Sequence, residues 1–100
     1  MAKSKIIIIS PFARLDLESI WRYTFDTWSL DQADKYQDDL FFGFTEIASN
    51  SEKGHSISNI KKGYRKYKVN HHYIIYKIVK KDIDIVRILH EKMDQPRQLL

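Results

Sequence analysis

Apolar residues recur at helical spacing in the first half of the chain and at strand spacing in the second. Ile6 to Ile9 is a β-branched run too short for a helix, and it predicts a buried strand. Ser10-Pro11 then supplies a helix start, with serine as the N-cap and proline at the first position, where no N–H is needed. Ala13, Leu17, Ile20, Trp21, Thr24 and Trp28 follow at spacings of three and four, while Arg14, Asp16, Glu18, Arg22 and Asp26 fall mostly off that line. An amphipathic helix of about four to five turns is expected, with both tryptophans turned to core or sheet. Ser29 and Gln32 read as a capping box that opens a second helix. Its buried stripe is Ala33, Tyr36, Leu40, Phe44, Ile47 and Ala48, widened by Phe41, and Asp31 and Asp34 sit where the helix dipole favours negative charge. Gly43 within that stripe costs about 1 kcal/mol against alanine, so close packing is expected there, against the first helix. The short connection makes the two helices an antiparallel hairpin.

After the polar turn from Asn50 to Ser56, Ile57 and Ile60 are expected to pin the loop to the core. Three strands follow at about Tyr64–Val69, His72–Val79 and Ile83–His90, joined through Asn70-His71 and Lys80-Lys81-Asp82 as an antiparallel meander. Tracing the chain direction through both helices predicts that the first strand joins a free edge of the meander in antiparallel sense. The last ten residues read as an irregular tail, with Leu99 and Leu100 able to dock. The fold class is therefore α+β, ordered β-α-α-β-β-β, with a helical hairpin packed on a small antiparallel sheet in a single domain spanning 1–100.

Composition narrows the function. A chain of 100 residues holds one core. With no cysteine, neither a disulfide framework nor a thiolate zinc site is available, and a cytoplasmic home is expected. Met1-Ala2-Lys3-Ser4-Lys5 before Ile6 has the look of a signal-peptide start, but the apolar run stops at Ser10-Pro11 and a soluble protein is expected. Residues 1–50 carry 5 Lys and Arg against 8 Asp and Glu, a charge of −3, whereas residues 51–100 carry 12 against 5, a charge of +7. The strand half thus suits an anionic partner, either nucleic acid or an acidic protein segment, unless its lysines only guard strand edges.

Candidate chemistry lies in that half. Gly43, Gly54 and Gly63 are too far apart for a phosphate loop, and His55, His71, His72 and His90 lack metal-ligand spacing, so neither metal nor cofactor is expected. A metal-free ribonuclease would need an acid, a base and cations, for which Arg65, Lys66, Lys68, Arg87 and His90 are the available groups. Strand parity separates them, placing Arg87 with Leu89 on one side and Val86, Ile88 and His90 on the other. Arg87 is otherwise expected to pair with Asp84, Asp94 or Glu91. Tyr64, Tyr67, Tyr73 and Tyr76 interleave with Arg65, Lys66, Lys68 and Lys77, as either a stacking surface for single strands or ordinary strand filling.

The chain also resembles the ParE-type toxins of the RelE/ParE superfamily of toxin–antitoxin systems. The resemblance is carried by Ser10-Pro11 with Ala13, Asp16-Leu17 with Ile20-Trp21 and Tyr23, Ala33 and Tyr36, Gly63-Tyr64-Arg65, Ile75-Tyr76, and Val86-Arg87-Ile88-Leu89-His90 with Met93-Asp94. In the central loop it departs, having Asn50-Ser51 and Gly54-His55 where the family often has Asn-Pro and Gly-Arg. The resemblance implies the β-α-α-β-β-β fold and a toxin that acts on DNA gyrase by direct binding, with no catalytic residue. It also implies neutralisation by a ParD-like antitoxin of ribbon-helix-helix type with an acidic C-terminal segment, in a hetero-oligomer. Neither membrane association nor sequence-specific DNA binding by the toxin is expected. Lys61, Lys62, Arg65, Lys66, Lys68, Arg87 and His90 are the expected contacts with target or antitoxin. The alternative is a RelE-like, ribosome-dependent mRNA endonuclease, whose usual C-terminal tyrosine has no counterpart after Tyr76.

Overall fold

A computed structural model describes residues 5–100, so most of the basic N-terminal segment compared above with a signal peptide lies outside the described residues. In chain order the elements are β1 (Ile7–Ile9), α1 (Pro11–Thr27), α2 (Leu30–Ser49), β2 (His55–Ser56), β3 (Tyr64–Val69), β4 (His72–Val79), β5 (Asp82–His90) and α3 (Gln95–Leu99). The described strands form one sheet in the order β1-β5-β4-β3-β2.

Local chemistry fixes the helix starts. Ser10 Oγ accepts from the Ala13 N–H at 3.0 Å and donates to the Val86 carbonyl at 2.7 Å, so one hydroxyl both caps α1 and ties it to β5. Ser29 Oγ accepts from the Gln32 N–H at 3.1 Å and caps α2. The helices lie on one face of the sheet, where Ala13, Leu17, Leu40, Phe44 and Ile47 close on Ile74, Tyr76, Ile83, Ile85 and Ile88. Gly43 belongs to this contact, but its close neighbour is the sheet rather than α1. A Cβ there would stand 2.7 Å from Val69 Cγ2 and 2.9 Å from Ile74 Cδ1.

The first strand departs from expectation in two ways. It pairs with β5 in parallel sense, Ile7 opposite Ile83 and Ile9 opposite Ile85. The reason is the segment after α2, which contains β2: it runs antiparallel to β3, with His55 opposite Lys66, and returns the chain across the sheet before the meander begins. Read as a single loop, that segment hides an extra pass of the chain. As an edge strand, β1 is also only half buried, with Ile8 exposed while Ile7 and Ile9 pack on the core.

A second, smaller apolar cluster covers the opposite face: Ile57, Ile75, Leu89 and Leu99, with Ile60, Tyr64, Tyr73 and Val86 around it. Val86 joins Leu89 there because the β4–β5 register shifts between Ile75 and Tyr76, which breaks the simple alternation expected along β5. The tail is ordered as α3, capped by Asp94 Oδ1 accepting from the Arg97 N–H at 3.4 Å. It seats Leu99 against the cluster and leaves Leu100 exposed.

Candidate functional site

Period-two alternation sorts the cations of β3. Lys66 and Lys68 lie opposite Ile75 and Tyr73 on the face away from the helices, and Tyr64 lies there opposite Lys77. Each tyrosine is flanked by two ammonium groups. Lys61 and Lys77 Nζ stand 5.3 and 5.7 Å from the Tyr64 ring centre. Lys66 and Lys68 stand 4.6 and 5.8 Å from that of Tyr73. Lys61 also donates to the Leu99 carbonyl at 3.1 Å, joining the loop to α3. Lys68 pairs with Glu91 at 2.9 Å; hydrogen bonds from Lys68 and then His71 pull the Glu91 carboxyl down to about 2. Among the described residues, Lys66 and Lys77 have no such carboxylate partner. Lys62 is exposed on the loop beside Lys61. Of the predicted set, then, Lys61, Lys66 and Lys68 come together; Lys77 joins them and was legible only through the β3–β4 register. Tyr67 and Tyr76 turn to the helices.

Arg65 and Arg87 are committed to internal contacts. Arg65 lies opposite the buried Tyr76 and donates to Gly54 O from Nε at 3.1 Å and from Nη2 at 2.6 Å, with Glu52 O at 3.1 Å. The Tyr76 hydroxyl accepts from the Gly54 N–H at 3.0 Å and donates to Ser51 O at 2.8 Å. Together they close the loop after α2, and glycine is needed at 54 because a Cβ would meet Lys66 O at 2.6 Å.

Arg87 forms a two-pronged pair with Asp16 of α1, at 2.8 and 3.0 Å, rather than with Asp84, Asp94 or Glu91. β1 pairs with β5 only as far as Ile85, and beyond it the Ile88 N–H donates to Asp16 Oδ2 at 2.9 Å. Asp16 thus serves both an arginine and a strand edge, and its hydrogen bond pushes the Arg87 pKa up.

His90 Nδ1 accepts from the Lys92 N–H at 3.1 Å, and its ring meets His72 edge-on at 5.1 Å. The Tyr36 hydroxyl accepts from the His71 N–H at 3.1 Å and shares a hydrogen bond with His72 Nδ1 at 2.6 Å. Burial, followed by the neighbouring His90 and His71, pushes His72 down to about 4, so it is neutral near pH 7. These groups floor a groove of about 800 Å³ walled by Ile20 and Tyr23 of α1, by Trp28 at its end and by Met93.

A second groove of about 960 Å³ runs along the other flank of α1, past Trp21, Arg22 and Phe41, and Ser19 and Tyr23 border both. Trp28 is 72% and Tyr23 68% exposed, contrary to the expectation that Trp28 would be buried. Trp21 is the better-covered tryptophan, donating to Asp34 Oδ1 at 3.0 Å and stacking on Phe25 at 5.3 Å. Phe12, Leu15, Leu30 and Phe42 extend this exposed apolar surface over the hairpin. Its signal in the sequence was an apolar content too large for one helical stripe.

The family described as "ParE toxin of type II toxin-antitoxin system, parDE" matches residues 7–95. Toxin ParE1 of Mycobacterium tuberculosis (strain ATCC 25618 / H37Rv) is 38% identical over 93 residues, covering 92% of this chain and 95% of the relative. Toxin ParE1 of Caulobacter vibrioides is 30% identical over 86 residues, covering 86% and 88%. Among solved structures, one titled "Chromosomal ParDE TA system from P. aeruginosa" superposes with a TM-score of 0.76 at 17% identity, covering 87% of this chain and 96% of that one. Another, titled "YoeB-YefM complex from Staphylococcus aureus", gives 0.57 at 21% identity, covering 89% and 98%. The two structures share the fold: helices packed on a five-stranded sheet.

Proposed function

The chain belongs to the ParE toxins of type II toxin–antitoxin systems, and on that premise we propose that it inhibits DNA gyrase in the cytoplasm by direct, non-catalytic binding, and that a ParD-like ribbon-helix-helix antitoxin neutralises it in a hetero-oligomer. The observation that carries the reading is the division of labour between surfaces. Three of the five groups a phosphate-cutting site would recruit are engaged internally: Arg87 holds Asp16, Arg65 holds Gly54, and His90 accepts from Lys92, while Lys66 and Lys68 stand apart from them on the sheet face away from the helices. The groups a protein partner would recruit, above all Tyr23 and Trp28 beside two grooves, face outward. Buried aromatic anchors dominate binding energy in such contacts.

In this reading the antitoxin segment lies along the hairpin, with His90 in the groove floor. Lys61, Lys62, Lys66 and Lys68 attract partners at a distance, raising association rates in a salt-dependent way. Arg65 and Arg87 act by positioning the loop and α1. The reading is tested by adding the purified protein to gyrase, relaxed plasmid and ATP. Loss of supercoiling or accumulation of cleaved DNA, reversed by the antitoxin, is expected. Unimpaired gyrase together with mRNA cut on translating ribosomes would contradict it.

A further inference from the structure

Two lysines of the sheet face, Lys66 and Lys77, sit where guarding an edge does not explain them. Lys77 is on β4, between β3 and β5, and Lys66 is on β3, covered on its outer side by β2. Edge charges that prevent strand pairing belong on the outermost strands. Here the ammonium groups instead form two pairs on a sheet face, Lys61 with Lys77 about Tyr64 and Lys66 with Lys68 about Tyr73. Only Lys68 is paired with a carboxylate among the described residues.

Two partner chemistries could meet such a face: an acidic peptide or a nucleic acid backbone. A peptide is held mainly by apolar anchors. The exposed large apolar side chains lie on the helical hairpin, on β1 and at the chain ends and turns; by strand parity Val79, at the β4–β5 turn, and Ile8, on the edge strand β1, share the lysine face. Around Tyr64 and Tyr73 that face offers charge, with its exposed large aliphatic groups confined to the β1 edge and the β4–β5 turn, which suits a uniform polyanion whose affinity is electrostatic. The charge division agrees, since the half of the chain that forms the hairpin carries −3 and the other half +7, so a polyanion is directed to the sheet side.

We propose that this lysine and tyrosine face contacts the phosphate backbone of DNA, so that a toxin seated on gyrase also touches the DNA that gyrase holds. The inference rests on the gyrase reading, and it is independent of base sequence. Four lysines predict a log K that falls with log salt at a slope of up to about −4 on a duplex.

The test is anisotropy of a labelled DNA duplex of arbitrary sequence titrated with the full-length toxin between roughly 0.05 and 0.2 M salt, the range over which counterion release is resolved. Lys66→Glu with Lys77→Glu is expected to weaken binding on the order of tenfold per lysine at about 0.1 M salt and to flatten the slope by about 2. Lys80→Glu with Lys81→Glu, the same charge change at the β4–β5 turn, is expected to leave the slope nearly unchanged. Should charge reversal unfold the domain, Lys66→Gln with Lys77→Gln keeps side chains over the rings and is read in the same way. Equal losses from the two pairs, no binding at low salt, or displacement of the duplex by poly-glutamate as readily as by unlabelled DNA would overturn the proposal. So would an equal preference for RNA of the same length. If gyrase inhibition by the Lys66 and Lys77 variant persists at wild-type strength in the supercoiling assay, the DNA contact fails while the gyrase reading stands.

Discussion

Asp16 and Arg87 show how one residue's role depends on its surroundings. A cation at a motif position on a strand reads as a contact for a partner. In the fold it is a part-buried arginine, 23% exposed at its side chain, bonded to a carboxylate 16% exposed that also receives the Ile88 N–H. Removing Arg87 leaves that carboxylate desolvated with a single remaining donor, so Arg87→Ala is expected to destabilise the domain by about 2 kcal/mol. The corresponding drop in Tm is on the order of 10 °C, measurable by circular dichroism. Toxicity lost by Arg87→Ala would then follow loss of fold, and an unchanged Tm would contradict the pairing.

The histidine and carboxylate beside this pair titrate in separate windows. His72, held at about 4 by burial, binds a proton more readily in the unfolded chain, so its contribution to stability is complete above about 6.5 and is lost as pH falls toward 4. Glu91, held at about 2 by Lys68 and His71, contributes above the ordinary carboxylate value of 4.5 and loses that contribution as pH falls toward 2. Urea midpoints measured against pH are expected to decline in both windows. His72→Gln should remove the upper decline and Glu91→Gln the lower. A midpoint flat between pH 7 and 4 in the wild type would refute the first assignment.

At the scale of elements, the helical hairpin is the part with most surface left over. Tyr23 and Trp28 are exposed, so Trp28→Ala should change stability by less than about 0.5 kcal/mol. If the hairpin seats the antitoxin, the same change should weaken that complex by about 2 kcal/mol, roughly 30-fold in Kd by calorimetry. Wild-type affinity in the Trp28→Ala variant would remove the hairpin from the antitoxin site.

The elements themselves were largely readable, because Ser10-Pro11 and Ser29 with Gln32 carry their own cap chemistry and the meander carries its own turns. Three features were not. β2 is two residues long, too short to leave a period, and without it the direction of β1 comes out reversed. The fate of Trp28 depends on where α1 ends rather than on its spacing, since it is the residue at which the helix stops. The shift between Ile75 and Tyr76 inserts one residue into β5, so every parity argument beyond Ile85 must cross an irregularity that alternation alone cannot reveal.

Across the whole molecule, the unequal charge of the two halves becomes a separation of surfaces. One face of the sheet is covered by the hairpin, whose outside is apolar and grooved. The other carries the lysines over a small cluster that α3 closes with Leu99. The lysine cluster was legible in the sequence at Lys61, Lys66 and Lys68; Lys77 became part of it only when register put it opposite Tyr64. In the proposed reading the hairpin meets a protein partner and the lysine face meets DNA. The most direct measurement is a titration of the full-length toxin against a fixed amount of gyrase, following the supercoiling rate. Direct, non-catalytic binding predicts a rate that falls with each increment of toxin and is regained when the antitoxin is added. Complete inactivation by a trace of toxin that grows with incubation time, or no loss of supercoiling at an excess of toxin, would contradict it.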